Sequence, residues 1–552
     1  MPRVFLPAVL SGMLLWAAFF PFDLGPIAFV ALVPWLTLVR APVSRRRRYF
    51  AAYVGACVFF TLATNWLTAA HPMMYFSWIG LSLVLPLFWL LGLDWIRRGD
   101  SLGLPLALSV PIVWVALEYT RMHFPTGFIF LKPLGLYQMI GFGWYFLGYS
   151  QHAFLPLIQI ADVGGVYAVS FLVAAVNGLL ADRLLRLDTV RRWLRWPNAV
   201  AVTSRTRHFA SPALVSILVV GTLVYGFIQL AHPAFTPGPL VAALQGSVPQ
   251  GQKMLKGNEL EEAYSRVLRK ALSAKPRPDL IVWPETCFAM DWCEVPSGQQ
   301  PPVEFAQAAE SRTREFSSLP FRVPMLLGLS AIEWENGQEW KYNSALMVTP
   351  RGTKIARYDK MHLVPFGEYV PLRDYFPFLQ AFTPYPKEYS CRPGEQWTRF
   401  PLTTADGRSF TFGCLICYED SDTYLARQYV ATEPVDFFVN ISNDGWFDGT
   451  EEHEEHLAIC RFRAVEARRA IVRSVNMGIS AIIDSDGRVI ALPRDSWSSS
   501  KKVEAVVSAF VPVDNRDSWY SQHGDWLPAG CWLVAIGVFV MSKTRKQPVR
   551  SF

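Results

Sequence analysis

Long apolar runs limit how this chain can fold more than any other feature. Seven fall before His232, at 4–20, 24–39, 49–67, 74–96, 102–117, 163–181 and 212–231, and an eighth lies at 526–541. A helix crosses the hydrocarbon core of a bilayer with about 20 mostly apolar residues. Strands and loops are excluded there because lipid satisfies no backbone polar group. The runs therefore predict a membrane α-helical bundle of about eight transmembrane helices. The first run follows Arg3 like a secretory signal, but no small-residue cleavage site ends it and a second run begins almost at once, so it is read as retained. Composition agrees: 51% hydrophobic and 18% charged is too oily for a soluble enzyme of 552 residues.

The formal net charge of +7 raises the question of nucleic acid, and its distribution answers it. Basic residues gather between apolar runs, at Arg40 with Arg45 to Arg48, at Arg97 and Arg98, across 183–207 and in the tail from Lys543 to Arg550. That is a topology signal, not a DNA-binding face. With the N-terminus in the cytoplasm, all of these loops fall inside, while the opposite loops at 21–23 and 71–72 carry no Lys or Arg. Residues 1–236 then hold about seven spans, 237–524 form an extracytoplasmic domain, and 525–552 form a last span with a basic cytoplasmic tail. The expected location is a bacterial inner membrane, with no nucleic-acid partner.

The extracytoplasmic segment alternates strand and helix signals. Strands are predicted at 279–283, 325–332, 410–416 and 436–441, and hairpins at 342–358 through Pro350-Arg351-Gly352 and at 480–492 through Asp486-Gly487. Amphipathic helices are predicted at 258–273, with Asn258 as N-cap, and at 451–472. Strands mixed with packed helices give a layered α/β domain whose strand ends feed loops.

Three segments put reactive side chains at such ends. Trp283-Pro284-Glu285 stops a buried strand on a carboxylate. The loop from Tyr358 to Tyr369 carries Lys360 and then Glu368 among helix-breaking Pro and Gly. Gly413-Cys414-Leu415-Ile416-Cys417-Tyr418-Glu419 ends an apolar strand in a thiol. Taken singly, these are a solvated turn acid, a surface lysine and a packing cysteine. Together, and in this order, they resemble the Glu-Lys-Cys triad of the nitrilase superfamily of carbon–nitrogen hydrolases. The resemblance is closer still to its membrane-bound branch, the apolipoprotein N-acyltransferase family. It rests on His362-Leu-Val-Pro-Phe-Gly-Glu-Tyr-Val-Pro371, Asn440-Ile-Ser-Asn-Asp-Gly-Trp-Phe447, Arg473-Ser-Val-Asn-Met-Gly-Ile-Ser480 and Gly148-Tyr-Ser-Gln151, and it spans nearly the whole chain.

The resemblance implies a nitrilase-like α-β-β-α sandwich, with Glu285 as base, Lys360 as transition-state stabiliser and Cys417 as nucleophile. It implies Glu368 and Glu419 as supporting acids and Tyr418 as a neighbour of the thiol. The implied reaction passes a fatty acyl group from membrane phospholipid through a Cys417 thioester to the N-terminal amine of diacylglyceryl-cysteine in apolipoproteins. No metal or diffusible cofactor is required. Chemistry supports these roles independently. A thiolate both attacks an ester and leaves from a thioester, given a nearby base. A fixed lysine charge faces the developing oxyanion. Two rival readings stand beside this one: a membrane-anchored amidase with water as acceptor, and a non-catalytic scaffold or transporter. Many spans suit a bilayer-embedded substrate better than a mere anchor does.

Other residues are weighed more briefly. Cys414 and Cys417 form a C-x-x-C without a second pair or histidine ligands, and strand alternation points them to opposite faces, so Cys414 is read as packing. Cys287, Cys293 and Cys391 lie where a disulfide is permitted, with no pairing fixed. His453 and His456 share a helical face but lack the H-E-x-x-H spacing, and no metal is read there. The proline-broken aromatic stretch 372–389, with Tyr375, Phe376, Phe378, Phe382 and Tyr385, is read as a lid that admits acyl chains, and Trp446 as a further substrate contact. The stretch 286–292 is a second lid candidate, against the alternative of a local core. Glu118 and Arg121 at the end of a span are functional or pairing charges. Met254, where the family commonly has tryptophan, and a longer 129–146 bear on substrate preference, not on the triad.

Overall fold

The computed structural model describes residues 2–544 apart from 135–137, 139, 197–206, 252–258, 320, 374 and 384–389. Met254, Asn258, Tyr385 and the basic tail beyond 544 therefore lie outside the described residues.

The N-terminal part is helical throughout. Its main helices are α1 (Phe5–Ala17), α2 (Arg45–Ala63), α3 (Met74–Val84), α4 (Pro86–Ser101), α5 (Leu106–His123), α6 (Val166–Leu184) and α7 (Arg207–Ala231). The eight apolar runs all become helical, but among the described residues only four helical stretches are long and apolar enough to cross a membrane: Met74–Ser101, Val166–Leu184, Ala210–Ala231 and Trp526–Thr544. The others fall short for local reasons. The run at 24–39 breaks into short helical pieces at Pro26 and Pro34. Four arginines open α2, and α5 carries Pro111 with buried Glu118 and Arg121. Close helix contact comes from small residues: a Cβ on Gly12 would lie 2.3 Å from the Gly55 carbonyl oxygen, so α1 and α2 meet backbone to backbone. Glu118 and Arg121 are buried and bond to neutral groups of the helical part. Glu118 accepts from Trp114 Nε1 and from the Leu147 amide, and Arg121 donates to the Trp144 and Tyr145 carbonyls.

The domain that follows is built from two sheets. Its elements are β1 (Phe235–Gln245), α8 (Glu259–Ser273), β2 (Leu280–Val282), β3 (Trp292–Glu294), α9 (Val303–Ser318), β4 (Met325–Glu335), β5 (Gln338–Val348) and β6 (Lys354–Asp359). Then come β7 (Arg399–Thr403), β8 (Ser409–Ile416), α10 (Thr423–Ala431), β9 (Phe437–Asn443), α11 (Glu452–Ala467) and β10 (Ala470–Asn476). The last are β11 (Ala481–Ile483), β12 (Val489–Ala491), β13 (Ala505–Asp514) and the C-terminal helix α12 (Trp526–Thr544). One sheet runs β13-β1-β2-β4-β5-β6, with β3 on β4, and the other β12-β11-β10-β9-β8-β7. Their inner faces share one core, where Val241, Val282 and Ala345 meet Phe412, Ile441 and Val472. Helices α8 and α9 cover the outer face of the first sheet through Tyr264, Val267 and Phe316, and α10 and α11 that of the second through Leu425, Tyr429 and Leu457. This is the α-β-β-α sandwich. Alternation along β1 makes it visible: Val241 and Ala243 face the other sheet while Ala242 and Leu244 face helices.

The predicted helix at 451–472 is corrected. It ends at Ala467, Arg468 takes φ +50°, and Ala470–Asn476 is the fully buried strand β10, parallel to β9. The continuous apolar sequence hides that switch, because buried parallel strands lack polar alternation.

Helix α11 docks the domain onto the helical part. The Arg468 guanidinium, wholly buried, meets Asp162 at 2.6 Å and Asp486 at 3.1 Å and donates to Gln159 at 2.8 Å. Arg463 pairs with Glu466 at 2.8 Å, and Glu466 accepts from the Val166 amide at the start of α6. Removing one partner from such a buried pair leaves an uncompensated charge, at a cost of about 3–5 kcal/mol. Arg468→Ala is accordingly expected to lower the thermal midpoint of the detergent-solubilised protein by several degrees. An unchanged midpoint contradicts this docking role.

Candidate active site

Lys360 begins the loop after β6, and its amide donates to the Asn343 carbonyl at 2.8 Å, so the first sheet fixes the lysine's backbone. Its side chain is 1% exposed and lies between two carboxylates, 3.1 Å from Glu285 Oε1 and 2.9 Å from Glu368 Oε2. Burial opposes its charge, but the two acids overcome that and hold the ammonium well above the usual lysine range. Asn343 completes the arrangement by donating Nδ2 to Glu285 at 2.6 Å and to Glu368 at 2.7 Å.

Glu285 sits three residues past the end of the buried strand β2. The turn passes so close over β4 that a Cβ on Gly328 would lie 2.0 Å from the Pro284 carbonyl oxygen. Glu285 Oε2 accepts from the Asn443 amide at 3.0 Å, at the end of β9. The carboxylate therefore joins the two sheets. Glu368 Oε2 accepts from the Val364 amide at 2.8 Å, which folds the lysine loop back on itself.

Cys417 follows β8 directly, in the left-handed region at φ +55°, where an L-residue is strained. The Asn440 amide group holds that turn, donating to the Leu415 and Cys417 carbonyls at 3.3 and 3.2 Å. Glu419 ties it to the lysine loop: its carboxylate accepts from the amides of Ile416, Met361 and His362 at 2.7, 2.7 and 3.1 Å, and from Tyr358 Oη at 3.0 Å. Burial pushes Glu419 up to about 7, and the amide donors with Lys360 pull against it. Tyr418 donates to the Leu363 carbonyl at 3.0 Å and lays its ring 5.8 Å from Lys360 Nζ. The Cys417 thiol lies in the field of Glu285 and Lys360. Burial first and Glu285 second push it up to about 12, while Lys360 draws it down.

The comparisons with known proteins now have a geometry to stand on. Residues 11–179 match the model described as the apolipoprotein N-acyltransferase N-terminal domain, and residues 240–519 match that of the carbon-nitrogen hydrolases. A curated apolipoprotein N-acyltransferase of Geobacter metallireducens is 33% identical over 99% of this chain and 96% of its own length. The chain belongs to the apolipoprotein N-acyltransferase family. One from Rhodopirellula baltica is 28% identical over 94% of this chain and 93% of its own.

Within this family member the outer candidates divide. Phe376, Phe378 and Phe382 are 50%, 65% and 45% exposed, with Tyr375 at 75%, so the loop after the lysine is a surface feature and not a local core. Phe382 reaches edge-on to Phe76 of α3, at 6.5 Å between ring centres. The stretch 286–292 is the reverse case. Cys287 and Trp292 are buried, and Phe288 packs on Trp283 and Phe316, making it a local core. Trp446 is half-buried in the turn Asp444–Phe447, whose Phe447 meets Trp66 of the helical part at 4.8 Å. Cys414 is buried in the inter-sheet core, and no disulfide joins Cys287, Cys293 or Cys391.

Two residues escaped the sequence reading. Asn343 lies mid-strand in no motif that marks it. Gln138, within the long 129–146 stretch, donates to the Met361 carbonyl at 2.8 Å and accepts from the Leu363 amide at 3.2 Å, bringing the helical part against the lysine loop. The raised thiol has a direct consequence. Alkylation of Cys417 in the resting enzyme is expected to climb about tenfold per pH unit from 7 to 10, because the thiolate is the reactive form. A plateau near the ordinary thiol value of about 8.5 contradicts the geometry.

Proposed function

We propose that this enzyme transfers a fatty acyl group from a membrane phospholipid to the N-terminal amine of diacylglyceryl-cysteine in apolipoproteins, using Cys417, Glu285 and Lys360. The observation that carries the reading is the buried lysine between two carboxylates beside a strained cysteine, in a chain built on a helical membrane part.

In the first half-reaction Sγ of Cys417 attacks the ester carbonyl of the phospholipid. Its proton passes to Glu285, whose carboxylate is oriented by Asn343 and the Asn443 amide. The tetrahedral oxyanion forms beside Lys360, whose charge needs no rearrangement to meet it. The carbon–oxygen ester bond then breaks, the glycerol oxygen takes the proton from Glu285, and the acyl group remains on sulfur. In the second half-reaction the neutral amine attacks the thioester, Glu285 accepts an amine proton, and the sulfur departs and recovers that proton. The lipid amide is left as product. A free α-amine has a reference pKa of about 8, so the neutral form is accessible. Glu368 holds Lys360 in place, and Glu419 and Tyr418 fix the cysteine turn against the lysine loop. Phe376, Phe378, Phe382 and Trp446 form the apolar approach for the acyl chain.

The proposed topology follows the basic loops. Residues 1–236 cross an inner membrane with about seven spans, 237–524 lie on its outer side, and 525–552 return the chain to the cytoplasm. The spans that are short or broken use their buried polar pairs inside the bundle, as Glu118 and Arg121 do.

Two-substrate kinetics with phospholipid and a diacylglyceryl peptide test the reaction. Parallel double-reciprocal lines are expected, and converging lines would indicate direct transfer without an enzyme-bound acyl group. Glu285→Gln is expected to lower kcat by about 10²–10⁴-fold. Release of free fatty acid faster than acyl-peptide formation would favour the hydrolase reading instead.

A further inference from the structure

Below the candidate active site, the end of β9 and the first turn of α11 bring Asp444, Glu452 and His456 together, all 2% exposed or less at the side chain. Their ligand-type atoms lie within 4.8 Å of one another. His456 Nδ1 is 3.4 Å from Asp444 Oδ1 and 3.4 Å from Glu452 Oε1. Those separations exceed ordinary hydrogen bonds of about 2.7–3.2 Å. They equal the spacing between ligands of a tetrahedral ion with bonds of about 2.0–2.1 Å, which is about 3.4 Å.

Buried polar atoms without hydrogen bonds mark the same place. His456 Nδ1 and Glu452 Oε2 make no hydrogen bond, and neither does the adjoining His453 Nδ1. Such atoms are rare in folded proteins and call for an explanation. The opposite ring nitrogen of His456 is engaged, with Nε2 2.9 Å from Asp420 Oδ1. A carboxylate behind a histidine fixes the tautomer and aims the free lone pair, which is the usual outer partner of a metal-binding histidine. Asp420 and Asp444 are in turn held by Arg473 at 3.1 and 2.9 Å. The neighbouring His453 accepts from the Gly449 amide at Nε2, 2.8 Å away.

We propose that Asp444, Glu452 and His456 form a binding site for a divalent transition cation, with zinc the best fit to one imidazole and two carboxylates. The ion would act as a brace. Asp444 follows Asn443, whose amide orients Glu285, so cation binding pins the strand end beneath that carboxylate.

The test uses the full-length, chelator-dialysed protein in detergent and zinc chloride alone, with calorimetry and thermal unfolding as readouts. One zinc per chain and a raised thermal midpoint are expected. Glu452→Gln keeps the side chain's shape while removing a carboxylate ligand, and is expected to weaken zinc binding at least about tenfold. Cobalt substituted for zinc is expected to give the intense visible absorption of a tetrahedral site, lost in Glu452→Gln. Failure of the folded wild-type protein to bind zinc overturns the proposal. So does equal affinity in Glu452→Gln, which would place the ion on other histidines.

Discussion

The structure depends on one buried cation. Lys360 is almost fully removed from water, a position that a lysine occupies only when paired. Glu285 and Glu368 supply that pairing from two different loops, and Asn343 bridges the same two carboxylates from mid-strand. One ammonium with two carboxylates leaves a surplus negative charge beside the thiol. That surplus suits the first step of an acyl transfer, where a proton must leave sulfur and find a base. The lysine charge is then already in place for the oxyanion that follows.

The surroundings exist to hold this group still. Glu419 ties the cysteine turn to the lysine loop through three backbone amides, and Gly328 lets β4 pass directly under the Glu285 turn. The helical part contributes too. Gln138 grips the lysine loop at Met361 and Leu363, Arg468 at the end of α11 locks onto Asp162 and Gln159, and Glu466 accepts from the first amide of α6. The domain is thus seated on its helices through polar contacts that leave little room for sliding. The exposed aromatic loop is the exception, with Phe382 touching Phe76 of α3 and Tyr375, Phe376 and Phe378 exposed.

What the sequence disclosed, and what it hid, follows from the range of the forces involved. The hairpin through Pro350-Arg351-Gly352 and the strand ending at Trp283 are set by local turn chemistry, and both were legible. The apolar runs were legible as helices, but Pro26, Pro34 and the arginines at the head of α2 shorten or interrupt some of them. The first three residues of β10 were read as the end of a helix, since Ala470-Ile471-Val472 prolongs an apolar pattern and only the left-handed Arg468 breaks it. Glu285, Lys360 and Cys417 were legible because each stands in a distinctive frame. Asn343, Gln138 and the pairing of Asp444 with Glu452 and His456 were not, because those roles arise from contacts between segments far apart in the chain.

The central claim is that sulfur carries the acyl group between donor and acceptor, and the intact mass of the enzyme reports this directly. After incubation with phospholipid alone, in the absence of any amine acceptor, peptide mapping should find Cys417 heavier by one acyl chain. Hydroxylamine should then remove that added mass. An unmodified thiol at position 417, in folded enzyme that still acylates a diacylglyceryl peptide, would contradict the account.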